Sequence, residues 1–176
     1  MDLHFVPPRL SELDALESEV LACTLWEDVR PSPGVAGLCD WRFAGRISSL
    51  QRSGFLSGSL GEVLMIPGRP RMSFDKILLF GAGKKSAFDE EAFRRVMRQM
   101  LETIEGLCSR LAVVELPGRQ DESIVAERAA DMLLEEATLP DSQARHDVWT
   151  LIESGEARRR IEQHMIEERR RIRPPL

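Results

Sequence analysis

The 176-residue sequence predicts a three-layer α/β/α domain built around a mixed sheet of about six strands. Six short β-branched or apolar segments alternate with stretches of helical periodicity, which is the first observation behind that class. The second is that KILLFG (76–81) and LAVVELP (111–117) are nearly continuous apolar runs, as strands are when helices cover both faces of a sheet. These two are expected at the centre. The third is length: 176 residues fit one domain with one core, and 43% apolar with 30% charged residues is globular usage rather than the signature of disorder. A single domain over 1–176 is expected, with 154–176 as an amphipathic C-terminal helix and tail.

Strands are predicted over residues 3–6, 19–25, 62–66, 76–81, 111–116 and 146–152, each bounded by turn residues. The PSPG stretch 31–34 is a loop. Residues 35–52 read as one helix rich in small residues, in which Gly37, Ala44, Gly45 and Ser48 let another backbone come close. Trp41 is expected in the core, and Asp40 beside it needs a donor, which Arg42 or Arg46 would supply. A valine at Gly45 is expected to overpack that helix face. Over 89–110, Phe93, Val96, Met97, Met100, Ile104 and Leu107 recur at three- and four-residue spacings, the mark of a helix that buries one stripe. Residues 122–137 repeat the pattern with Val125, Ala129, Met132 and Leu133, and Leu139-Pro140 stops the helix. In 154–171, Ala157, Ile161 and Met165 fall four apart among Glu and Arg. Strand order and direction are left open by the sequence.

No apolar run approaches the ~18–20 residues that cross a bilayer, and MDLHFVPPRL has no basic segment leading into an apolar signal core. No membrane association is expected. Cys23, Cys39 and Cys108 are an odd number without a C-x-x-C pair, which argues against zinc and dithiol exchange and for a cytoplasmic location. Formal charge is -5, yet residues 154–173 hold seven Arg against four Glu. Such a tail could bind nucleic acid through phosphates. Glu156, Glu162, Glu167 and Glu168 can pair with Arg three or four positions away, so a self-compensated surface is expected and nucleic acid is not an expected partner. The tail is expected to meet the domain through Ala157, Ile161 and Met165, and either to fray or to join a homodimer contact.

The block GVAGLCDWRFAGRISSLQRSGFLSGSLGEVLMIPG, residues 34–68, resembles the N-terminal domain of the leucyl (cytosol) aminopeptidases. The order continues with a strand ending in Gly81-Ala82-Gly83, a long helix opening D-E-E-A-F-R, and the strand LAVVELP; the resemblance runs from Val35 to about Pro117. It implies a macro-domain-like fold placed ahead of a separate catalytic domain, which is expected to be absent from this chain. The family's metal-binding residues lie in that second domain, so no catalytic or metal-ligating position transfers and no cofactor is expected. What transfers is structural: Gly37, Asp40, Trp41, Gly45, Ser48, Gly54, Gly58, Gly61, Gly81 and Gly83.

Two further constellations stand in the sequence. The turn Gly81, Ala82, Gly83, Lys84, Lys85 follows a strand and precedes a helix, so backbone amides and two lysines could cradle an anion there, although it matches neither phosphate-loop pattern. Cys39-Asp40 with a distant His4, His146 or His164 lacks the spacing of a thiol nucleophile and base, and a buried structural cysteine is the expected reading. The function expected is a non-catalytic binding or assembly module that associates with itself or with a protein partner. Two alternatives stay open: a macro-type binder of ADP-ribose or a related nucleotide at Gly81–Lys85, and the regulatory or structural half of a split metallo-aminopeptidase.

Overall fold

The structure, a computed structural model, describes residues 1–139, 142 and 147–172. Its elements run β1 (Asp2–Val6), α1 (Leu10–Asp14), β2 (Val20–Leu25), α2 (Gly34–Arg42), α3 (Arg46–Arg52) and β3 (Val63–Pro67). They continue with β4 (Lys76–Gly81), α4 (Glu90–Gly106), β5 (Leu111–Val114), α5 (Ala126–Ala137), β6 (Val148–Ile152) and α6 (Gly155–Ile172). One sheet takes the order β1-β6-β5-β2-β4-β3. All neighbours pair parallel except β3, which runs antiparallel to β4.

All six expected strands form, and KILLFG and LAVVELP lie inside the sheet as their apolar runs require. One of the two innermost strands, β2, is buried along its whole length. Its residues alternate between two cores, as period-two strands do. Val20 and Ala22 join Leu78, Phe80, Ala112, Val114 and Trp149 beneath α4 and α5. Leu21, Cys23 and Leu25 join Ile77, Leu79 and Val113 beneath α1, α2 and α3. This is the three-layer arrangement. His146 and Pro140, the expected start of the last strand and stop of α5, lie outside the described residues.

The stretch 35–52 is two helices, not one. Ala44 (φ 53°) and Gly45 (φ 79°) are left-handed, and the chain turns there between α2 and α3. The carboxylate of Asp40 closes the turn, accepting from the backbone N–H of Ser48 at 3.0 Å and from its hydroxyl. Ser48 is the third residue of α3, whose N–H has no partner within the helix. Asp40 therefore pairs with Ser48 and not with Arg42 or Arg46; Arg42 forms its ion pair with Asp14. Helix α2 buries Val35, Ala36 and Cys39. Trp41 sits two positions past Cys39, about 200° around the helix, and is 71% exposed rather than in the core. A side chain at Gly45 would meet nothing within 4 Å, so substitution there strains the backbone at φ 79° and does not overpack.

The long helix α4 starts where Asp89 accepts a hydrogen bond from Ala92 N–H at 2.9 Å, a side-chain N-cap. Its stripe of Phe93, Val96, Met97, Met100 and Ile104 is buried. Helix α5 begins later than its pattern suggests: Val125 is the N-cap residue and is 59% exposed, while Ala129, Met132 and Leu133 are buried. At the C-terminus α6 lies against α5, with Ala157 and Ile161 buried beside Ala126 and Ala130, and Met165 partly covered. The expected intrahelical pairs are present as Arg158–Glu162 (2.8 Å) and Arg171–Glu168 (2.7 Å).

Candidate functional site

In an open α/β sheet a ligand crevice forms at the carboxyl ends of the strands, where adjacent connections leave toward opposite faces. Here one such point lies between β2 and β5. The chain leaves β2 toward α2 on one face and leaves β5 toward α5 on the other.

The first residue after β5 is Glu115, only 3% exposed. Its Oε1 accepts the backbone N–H of Val35, in the first turn of α2, at 2.9 Å. Its Oε2 and both polar atoms of the Gln120 amide are buried without a partner among the described residues. The space is tight: a methyl group on Gly34 would approach Gln120 Cβ to 2.4 Å and Glu115 Oε1 to 2.5 Å. Burial pushes the Glu115 carboxyl up to about 8; the Val35 bond opposes that rise, the nearby Glu153 and Asp121 add to it, and Arg119 opposes it.

Two charged pairs close the rim. Arg119 and Glu153 form a buried, two-pronged ion pair with bonds of 2.7 and 3.0 Å. Asp121 accepts from Trp26 Nε1 at 2.9 Å, from Ser123 Oγ at 2.6 Å, and pairs with Lys85 Nζ at 2.8 Å. Burial opposes its charge, but the bonds from Lys85, Ser123 and Trp26 hold its pKa below the usual carboxylate value. Trp26 itself is buried and stacks edge-on against Phe88, with ring centroids 4.8 Å apart.

The glycine-lysine turn sits on this same rim, and the amides of Gly81, Ala82, Gly83 and Lys85 are engaged. Gly81 N–H donates to Glu62, Ala82 to Leu25 (both 2.8 Å) and Gly83 to Gly58 (2.9 Å). Lys85 N–H donates to the Asp28 carboxylate at 2.8 Å. Lys84 is exposed and makes no ion pair among the described residues. Gly37, Asp40 and Trp41 lie on α2, Ser48 on α3, and Gly54, Gly58 and Gly61 in the connection from α3 to β3.

Cys23 and Cys39 are both buried, one on β2 and one on α2. Their mutual hydrogen bond, then burial, push the Cys23 thiol well above its ordinary value. Such a thiol stays protonated. His4 lies on β1, and His164 is 2.9 Å from Asp131 across the α5–α6 contact; neither is in the helix layer that holds Cys39. Among the described residues no group of three or more His, Cys, Asp or Glu could hold a metal ion.

Sequence reasoning missed Glu115, Arg119, Gln120, Asp121 and Glu153. One signal was available: LAVVE and WTLIE each end an apolar strand on a glutamate, and the strands are neighbours.

Residues 20–141 match the family model of the cytosol aminopeptidase family, N-terminal domain, a wider span than the stretch on which the resemblance rests. A probable cytosol aminopeptidase of Haemophilus ducreyi is 28% identical over 103 residues, which are 58% of this chain and 20% of that protein. The match thus spans about a fifth of that relative's length. A mutant tomato leucine aminopeptidase superposes with a TM-score of 0.62 at 14% identity, covering 94% of this chain and 35% of the other. A mutant macrodomain of Oceanobacillus iheyensis, solved with ADPR, superposes with a TM-score of 0.67 at 13% identity, covering 94% and 91%. At these identities the two structures show the fold alone, which is that of macrodomains. The family model covers well over half of the chain, and the chain belongs to the cytosol aminopeptidase family, through its N-terminal domain.

Proposed function

We propose that this unit works as a binding and assembly module and performs no peptide hydrolysis of its own. The observation that carries this reading is the state of the switch-point crevice. The chain's own Glu115 and Gln120 pack onto Gly34 there, and Arg119–Glu153 and Lys85–Asp121 pair along the rim. Large apolar side chains stand instead on the outer surface, with Trp41 71% and Phe55 67% exposed, the kind of residue that anchors protein contacts. The matched region corresponds to the N-terminal part of the family. The test is hydrolysis of a leucyl substrate by the purified protein with added Mn²⁺ or Zn²⁺. Release of amino acid no faster than in a metal-free control is expected, and a clear metal-dependent rate refutes the reading. The same assay with a separately encoded catalytic half added would reveal the split-enzyme alternative.

The nucleotide-binding alternative draws on one observation, the likeness to a macrodomain solved with ADPR. Lys84, exposed beside Gly83, is the cation that reading would use. Calorimetric titration with ADP-ribose decides it, and absence of heat at millimolar ligand removes it.

A further inference from the structure

Among the described residues strand β1 is an edge, hydrogen-bonded to β6 on one side alone. Asp2 N–H donates to Asp147 and the Val6 carbonyl accepts from Glu153, so Asp2, His4 and Val6 turn their backbone groups toward β6. Strand alternation turns the N–H and C=O groups of Leu3 and Phe5 outward, where an open edge invites cover. A groove of about 580 Å³ runs along this edge, lined by residues 1–5 and by Glu162, Met165, Ile166 and Arg169 of α6. Those four positions lie on one face of the helix. Ala157 and Ile161 of the same helix are buried against α5, whereas Ile166 is 51% exposed.

The order of side chains along that face is acid, apolar, apolar, base, and it becomes its own complement when reversed. We propose that the groove seats a second copy of this chain, its α6 crossing antiparallel about a two-fold axis between Met165 and Ile166. This rests on the assembly-module reading and names the partner. The axis sets Glu162 of one copy opposite Arg169 of the other, twice in each dimer. Ile166 of each copy then covers the β1 edge of its mate. Charge favours this direction: a parallel crossing in register would set Glu162 against Glu162 and Arg169 against Arg169. Arg169 makes no ion pair among the described residues, and the bond of Glu162 to Arg158 is an exposed one that leaves a carboxylate oxygen free.

Sedimentation velocity of the full chain across a concentration series tests the proposal. The wild type dimerises, Ile166→Asp abolishes the dimer, and Glu162→Arg or Arg169→Glu alone weakens it by about tenfold or more. The decisive sample is an equimolar mixture of the two single reversals. Each alone carries like charges at both ends of the stripe, but together they restore both cross-pairs and form a heterodimer. Unchanged thermal melting of each variant shows that the fold is kept. A wild type that stays monomeric at about 1 mM, a concentration at which even weak contacts form, overturns the proposal and leaves the edge to an extended peptide or another protein. A dimer insensitive to both reversals, or a mixture that stays monomeric, also overturns it. Metal-dependent leucyl hydrolysis would overturn the parent reading whatever the mass, so the two failures are distinguishable.

Discussion

Glu115 and Val35 are joined by a hydrogen bond of 2.9 Å from the Val35 N–H to a Glu115 carboxyl oxygen, which ties the end of β5 to the first turn of α2. Because the folded protein holds this carboxyl at about 8 against 4.5 for an exposed glutamate, it retains a proton that the unfolded chain releases. The stability tied to that proton is fully present below about pH 4.5 and is lost as pH rises toward 8, by an amount on the order of a few kcal/mol. Glu115→Gln keeps the acceptor and removes the titration. Its melting temperature is expected to fall less than that of the wild type between pH 5 and 9, as read by circular dichroism. Parallel curves for the two proteins would show that Glu115 is not the group responsible.

Arg119 and Glu153 are each buried, and each satisfies the other. Removing one partner strands a charge, so Arg119→Met is expected to cost about 3–5 kcal/mol. Replacing both, as Arg119→Met with Glu153→Leu, is expected to recover most of that loss. Chemical denaturation of the three proteins measures this, and a double variant as unstable as the single one would contradict it.

Gly81 ends β4 directly against the loop at Ser59. A Cβ there would lie 2.0 Å from the Ser59 carbonyl oxygen, which is backbone and cannot rotate away. Gly81→Ala is expected to destabilise by roughly 1–3 kcal/mol through forced displacement of that loop. An unchanged denaturation midpoint would mean that the loop moves freely.

Trp41 and Asp40 are adjacent in sequence but opposite in consequence. Trp41 is exposed and touches the Arg42 guanidinium at 5.7 Å from the ring centre, so Trp41→Ala is expected to change stability by less than about 1 kcal/mol. Asp40→Ala frees the Ser48 amide at the start of α3 and is expected to cost about 1 kcal/mol or more. Thermal melts of the pair check the ranking, and a larger loss at Trp41 than at Asp40 would reverse it.

The sequence by itself determined the layers and the strands. KILLFG and LAVVELP are apolar throughout because both faces are covered, and a contiguous run displays that without any knowledge of partners. The stripe of Phe93, Val96, Met97 and Met100 is equally local, since one helix period sets which residues share a face. The resemblance carried by residues 34–68 was likewise visible in the order of small residues and turns. Tertiary structure decided the rest. Whether Trp41 faces the core depends on which face of α2 packs on the sheet, and that face carries Val35, Ala36 and Cys39. The contents of the crevice depend on contacts between segments far apart in the chain, with Glu115 meeting Val35 across 80 residues and Arg119 meeting Glu153 across 34. Periodicity reports burial along one element, whereas pairing between strand ends depends on sheet order, which no single segment encodes.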